Sequence, residues 1–206
     1  MEYLFEHLDK VTELLIEHIY LVSLSLIISI FVAALIAAVI SRYAKAQSPV
    51  LGALGIIYTI PSIALFALLI PFLGLGVKPA AIALIAYSQM ALVRNMVVAV
   101  KGIEPSIVEA ARGMGMGKWR MIYKIFVPLA LPVVVAGIRI AAVSMIGIAT
   151  IAAFINAGGL GKLIFEGIYQ DHSGKIIAGT VAVLVLVVAT DLAFRFIEKR
   201  VSLNTR

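Results

Sequence analysis

The chain has 206 residues, of which 63% are hydrophobic and 14% charged, with a mean hydropathy of +1.11. Soluble domains average about 45–50% apolar and about 25% charged residues, so one water-soluble core would not hide this much apolar surface. An ordinary globular enzyme, a disordered tail and a nucleic-acid-binding domain are excluded. The net charge of +6, from 17 Lys+Arg against 11 Asp+Glu, points to the cytoplasmic loops of a membrane protein rather than to an anionic ligand. Length alone allows one or two domains. There is no cysteine, which removes disulfide and thiolate chemistry.

About 20 apolar residues cross the hydrocarbon as a helix. Ile19 to Ser41, between His18 and Arg42, carries no formal charge and predicts the first span. A second uncharged stretch, Ala46–Val77, is too long for one upright helix. Ser48-Pro49 and Gly74-Leu75-Gly76 read as loops at its ends, which leaves a span over Leu51–Leu73. Pro61, near its middle, predicts a kink or local unwinding. The third span runs from Pro79 to about Val100, with Arg94 able to snorkel near its end. Lys101 to Lys124 is too charged for lipid. A fourth span covers about Pro128–Phe154 and contains Arg139. The run Asn156-Ala157-Gly158-Gly159-Leu160-Gly161 breaks it, and a fifth span covers about Ile176–Phe196. The fold class is therefore an all-α membrane protein of five transmembrane helices.

With five spans the termini lie on opposite sides. If the loop between spans three and four is cytoplasmic, that side holds 12 basic residues: Arg42, Lys45, Arg94, Lys101, Arg112, Lys118, Arg120, Lys124, Arg195, Lys199, Arg200 and Arg206. The other side holds Lys10, Lys78, Lys162 and Lys175. The positive-inside rule then sets the N-terminus outside and the C-terminus inside. Glu2, Glu6, Asp9, Glu13 and Glu17 make the N-terminal stretch acidic, with neither the basic start nor the cleavage site of a signal peptide. No period of 20–50 residues marks a repeat array.

The cytoplasmic stretch is the most informative. Ser106 and Glu109 have the spacing of a capping box, and Pro105 suits a first helical turn. Gly113, Gly115 and Gly117 predict the end of that helix and a turn. Lys118–Phe126 reads as a second short amphipathic piece leading back to the bilayer. Such a helix–turn–helix either meets a partner protein or lies on lipid, where Trp119 and its basic neighbours would suit it; the residues alone weigh the two equally.

Glu109-Ala110-Ala111, then Gly115, Ile125 and Val127-Pro128, resemble the EAA motif of ABC importer permeases: EAA, three residues, Gly, nine residues, Ile, one residue, Leu-Pro. Val127, where Leu is usual, is the one departure. The resemblance extends from about Ile19 to Phe196 within a single domain, 1–206, and is strongest to permeases for quaternary ammonium osmoprotectants. Thr59-Ile60-Pro61-Ser62, Pro71-Phe72-Leu73-Gly74-Leu75-Gly76 and Ala157-Gly158-Gly159-Leu160-Gly161 are similar to runs in that group. Methionine-type permeases share the five-span plan.

The resemblance implies a coupling helix, made by Glu109, Ala110, Ala111, Gly115, Ile125 and Pro128, docked on an ATPase subunit. It implies two ATPase subunits that bind ATP and Mg, a substrate-binding protein, and a second permease copy or homologous chain. It also implies residence in a bacterial-type cell membrane. No cofactor is expected on this chain itself. A phosphate loop needs G-x-x-x-x-G-K-[ST]. Gly161-Lys162 and Gly117-Lys118 both fail at two positions, so ATP hydrolysis falls to another chain. If the chain is a piece of a longer fusion, a binding domain would follow Arg206.

Within the spans, Arg139 costs at least about 2.5–3.5 kcal/mol at a helix centre. It either satisfies carbonyls or Asp191 within the bundle, the favoured reading, or meets a substrate carboxylate. Pro61, Ser62, Tyr87, Gln89, Ser144, Asn156 and Gly159 are the other candidates for the pathway and its gate, and the resemblance sets the Gly158–Gly161 turn at an outer mouth. Aromatic faces hold quaternary ammonium groups, which adds Tyr58, Phe66 and Phe154. Gly137, Ala141, Ser144 and Gly147 predict a close helix–helix face. His7, His18 and His172, in or beside outer loops, lack metal-ligand spacing. The rival readings are a methionine-type importer and an ATP-independent secondary transporter or small structural membrane protein.

Overall fold

The computed structural model describes residues 2–203, and within them every regular element is helical. Arg206, counted above among the inner basic residues, lies outside them. The helices are α1 (Glu2–Glu6), α2 (Leu8–Arg42), α3 (Ala44–Thr59), α4 (Ser62–Leu73), α5 (Val77–Lys101), α6 (Pro105–Gly113), α7 (Lys118–Met121), α8 (Val127–Ala152), α9 (Gly161–Tyr169) and α10 (Ser173–Leu203). Four helical stretches are long and apolar enough to cross a membrane: Leu8–Arg42, Val77–Lys101, Lys118–Ile155 and Ser173–Ser202.

The predicted second span departs most from expectation. It begins at Ala44, so Pro49 lies inside α3 rather than in a loop, and the chain turns by 95° between α3 and α4. The cause is local. Pro61 has no N–H to continue the helix, and its ring drives Ile60 into extended backbone. Ile60 accordingly has φ −65° and ψ 128°. At 12 residues α4 is about 18 Å long, too short to cross alone. The pair nevertheless runs from one end of the bundle to the other. Gln47 in α3 accepts a hydrogen bond from Lys101 at the end of α5. Just past α4, Gly76 N–H donates to the Ile155 carbonyl at 2.8 Å. The count of crossings is four, or five with the bent pair taken as one.

Helix α5 forms the centre, packed between α2 and α8. At the α6 end, Ala33, Ala37 and Ile40 of α2 meet Leu92, Val93 and Met96 of α5 and Ala141 of α8. Toward the other end, Leu21 and Val22 pack with Phe66, Ala83, Leu84, Met145 and Ile146. Lipid removes the hydrophobic drive between helices, so close packing of small residues must hold them. Gly137 supplies the tight approach of α8 to α5: a Cβ there would lie 2.6 Å from Cβ of Asn95. The expected small-residue face is only half right. Gly137 and Ala141 are buried, whereas Ser144 and Gly147 are exposed, and Ala142, Met145 and Ala149 complete the buried stripe.

The fourth span is not preceded by a separate short helix. Helix α7 passes through a π-helical turn, Ile122–Phe126, directly into α8. Pro128 gives the reason: it offers no N–H to the Lys124 carbonyl and its ring crowds that group, which a widened turn relieves. Between the predicted fourth and fifth spans, helix α9 packs under the end of α8. A Cβ on Gly161 would collide with the Thr150 carbonyl. Gly161→Ala is expected to lower the thermal midpoint and folded yield of the purified protein, because that backbone contact has no room to relax.

Candidate functional site

The alternation of long helices gathers the basic residues at one end of the bundle, where α2, α5 and α10 finish and α8 begins. Helix α6 lies at that end. Pro105 occupies its first turn, as expected. The expected capping box does not form: Glu104 takes the N-cap position, so Ser106 already lies within the helix, and its hydroxyl donates to the Glu104 carboxylate at 2.7 Å. Glu109 is therefore exposed, with no ion pair or hydrogen bond from its side chain among the described residues. Ala110 is exposed beside it, and Ala111 is buried at 1%.

The end of α6 has a specific cause. Gly115 has φ +73°, its N–H donates to the Arg112 carbonyl at 2.9 Å, and Met116 N–H donates to the Ala111 carbonyl at 3.1 Å. This is a Schellman closure with Gly115 as its left-handed residue. Of the three glycines, only this one needs positive φ. Ile125 falls within the π turn and Pro128 in the first turn of α8, both half-buried. Trp119 and Tyr123 stand out at 73% and 69% exposure. The six predicted coupling positions thus fall on one continuous stretch with an uncovered face.

At the α3–α4 bend, the Tyr87 hydroxyl of α5 donates to the Ile60 carbonyl, which the break leaves without a helical partner. Tyr58 meets Tyr87 edge-on, centroids 6.2 Å apart. Together with Ser88, Ile140 and Ser144 they line a narrow crevice between α3, α5 and α8. Three polar candidates scattered through the sequence therefore share one place. Pro61 and Ser62 frame the bend beside it. Gln89 does not join them: it is buried against α2, donating to the Ile85 and Ser29 carbonyls at 3.0 and 3.4 Å. Tyr87→Phe leaves the Ile60 carbonyl unpaired. It should cost about 1 kcal/mol, read as a lower thermal midpoint and faster protease cleavage near residues 58–62.

The end opposite α6 closes through the 156–161 turn. Asn156 has φ 64°, and Gly158 and Gly159 both have φ +79°. Gly159 N–H donates to Glu17 Oε2 at 2.9 Å, and a Cβ on Gly159 would lie 2.9 Å from His18 Nδ1. Rather than sitting by a loop, His18 is fully buried within α2, with Nε2 3.2 Å from the Ile146 carbonyl. The sequence reading missed Glu17 and His18 as partners of this turn; the paired glycines were the one sign of a close approach. His7 and His172 are brought together by Tyr3, which stacks on one at 4.2 Å and meets the other edge-on at 5.4 Å. No cluster of metal-ligating groups exists among the described residues.

An ion-pair cluster ties this end together. Glu166 of α9 receives Lys10 at 3.1 Å and Lys175 at 3.3 Å. Burial pushes the Glu166 carboxyl upward, but hydrogen bonds and charge from Lys10 and Lys175 outweigh it and hold the group below its usual range. Its contribution to stability is complete above the ordinary carboxylate range and is lost as pH falls through the lower folded value. The thermal midpoint of Glu166→Gln should therefore trail the wild type at pH 7, with the gap closing on acidification.

Arg139 is committed to α10. It lies 3.4 Å from Asp191 and 3.5 Å from Glu198, while Arg195 holds the other Asp191 oxygen at 2.6 Å. The expected Asp191 partner is present; Glu198, two turns further along α10, was not foreseen.

A bundle of long apolar helices with a bent pair, and an exposed glycine-closed helix at its basic end, has the architecture of a polytopic membrane protein. Residues 19–203 match the family model of the binding-protein-dependent transport system inner membrane component, and the chain belongs to that family. It is 37% identical over 186 residues to the glycine betaine/carnitine/choline transport system permease protein OpuCB of Bacillus subtilis (strain 168), covering 90% of this chain and 86% of that one. The osmoprotectant import permease protein OsmW of Salmonella typhimurium is 38% identical over 196 residues, covering 93% and 91%. The fold is shared with the inward-facing MetNI methionine ABC transporter, with a TM-score of 0.84 at 22% identity over 94% of this chain and 97% of that one. The chain is thus a permease subunit of an ABC importer.

Proposed function

We propose that this permease forms the path for a quaternary ammonium osmoprotectant such as glycine betaine, carnitine or choline, delivered by a separate binding protein and driven by two ATPase subunits. Two copies, or this chain with a homologous one, face each other across the path in a bacterial cell membrane. The bent α3–α4 pair is one crossing, giving five, with the N-terminus outside and α6 inside. The gathering of basic residues at the α6 end supports that orientation.

The observation that carries the coupling role is α6 itself. A short helix, closed at Gly115 by a turn only glycine accepts without strain and joined through α7 to α8, presents an unpaired Glu109 and small Ala110 to the surroundings. Such a helix transmits rigid-body motion when its partner subunits close on ATP. The substrate class rests on the transport activities of the relatives and on the Tyr58–Tyr87 crevice, since aromatic faces suit a cation that has no N–H to donate.

The test is reconstitution with the cognate ATPase and binding protein in proteoliposomes, with ATP inside. Uptake of glycine betaine, carnitine or choline, dependent on ATP and on the binding protein, is expected. Uptake of methionine alone would transfer the chain to the amino-acid class, and uptake without an ATPase would defeat the importer reading.

A further inference from the structure

At the end opposite α6, a cavity of about 300 Å³ opens between α2, the 156–161 turn and the start of α9. Among the residues that line it are Glu17, Tyr20, Asn156 and Lys162, together with the apolar Leu21 and Val77. The two charges differ in how they are held. Glu17 is fixed through Oε2 by Gly159 N–H, and its second oxygen has no partner among the described residues. The Lys162 ammonium makes no ion pair or hydrogen bond there either, whereas Lys10 and Lys175 at the same end are both taken by Glu166. Both side chains are exposed, and two opposite charges stand beside one open space with no ion pair between them, an arrangement that a dipolar ligand complements at both ends.

We propose that this cavity is an entry subsite for a small zwitterion bearing a quaternary ammonium at one end and a carboxylate at the other. The ammonium, which cannot donate a hydrogen bond, sits between the Tyr20 face and the Glu17 carboxylate. The carboxylate takes charge-assisted hydrogen bonds from Lys162 and the Asn156 amide. A ligand with the cation alone leaves Lys162 unanswered and is repelled by it, so the subsite sorts zwitterions from simple cations. The inference rests on the transport reading above and assigns each end of its substrate to named residues.

The complete permease–ATPase complex, in phosphatidylglycerol nanodiscs without binding protein, is titrated with radiolabelled glycine betaine and with choline. Saturable glycine betaine binding is expected, weakened at least tenfold by Lys162→Gln and recovered by Lys162→Arg, while choline binding does not fall in Lys162→Gln. Absence of saturable glycine betaine binding, or equal binding by Lys162→Gln, overturns the subsite. Loss of binding when phosphatidylcholine is added to the discs also overturns it, by assigning the cavity to a lipid headgroup. Uptake by the full wild-type system, measured in parallel, separates the two levels: transport without binding leaves the permease reading intact and removes only the subsite. Absence of transport removes both.

Discussion

Gly115→Val is expected to abolish ATP-driven uptake while leaving membrane insertion and spectroscopic helicity unchanged. Two facts set these effects apart. No atom lies within 4 Å of where a Cβ on Gly115 would stand, so valine meets no steric clash and the spans keep their packing. The backbone at φ +73° is another matter. The left-handed region costs an L-residue roughly 1–2 kcal/mol, and a β-branched side chain there is an outlier. The closure onto Ala111 and Arg112 opens instead, and α6 no longer presents Glu109 and Ala110 at a fixed angle. Asparagine tolerates this region better than valine, so Gly115→Asn should retain a measurable share of uptake. Normal ATP-dependent uptake by a well-expressed Gly115→Val variant would refute the coupling role of α6.

Arg139→Gln should lower the folded yield and thermal midpoint while depressing uptake of glycine betaine and choline alike, per folded complex. The guanidinium joins α8 to two turns of α10, and its loss leaves Asp191 and Glu198 facing each other in a partly dry site. A pair of this kind lies between the exposed and fully buried extremes, at about 2 kcal/mol. Asp191→Asn should be milder, because Glu198 remains, and Arg195 loses only an exposed contact. A selective loss of zwitterion uptake in Arg139→Gln, with choline spared and stability unchanged, would instead return Arg139 to the pathway.

The apolar runs foretold α2, α5, α8 and α10 because lipid demands about 20 residues of continuous hydrocarbon-facing helix, a property of composition. The spacing from Glu109 to Pro128 likewise carried the helix, the glycine turn and the return to the bilayer. What could not be read was geometry set by distant partners. Pro61 announced a break, but neither its 95° angle nor the donation from Tyr87 of another helix to the freed Ile60 carbonyl is written in the local sequence. Ser144 looked like a packing residue by its spacing, yet α8 turns it into the crevice with Tyr58 and Tyr87. Ser106 and Glu109 had the right separation for a box, but Pro105 starts the helix two residues earlier and moves the cap to Glu104. At the opposite end, Glu17 and His18 are bound to a turn some 140 positions away, which no local pattern encodes.

The unbroken passage from α7 through the π turn into α8 has a mechanical consequence. Lys118 to Ile155 is a single helical rod of 38 residues, about 57 Å long, without a hinge loop. A displacement applied beside Lys118 cannot dissipate in slack chain; it must tilt or twist the whole rod, carrying Ser144 and the base of the 156–161 turn with it. One compliant element along it is the widened turn at Ile122–Phe126, whose i→i+5 hydrogen bonds take in one more residue than an α-helical turn and let the helix change register. On the proposed orientation, a push at the α6 end would be geared by this single piece of backbone to movement at the 156–161 turn.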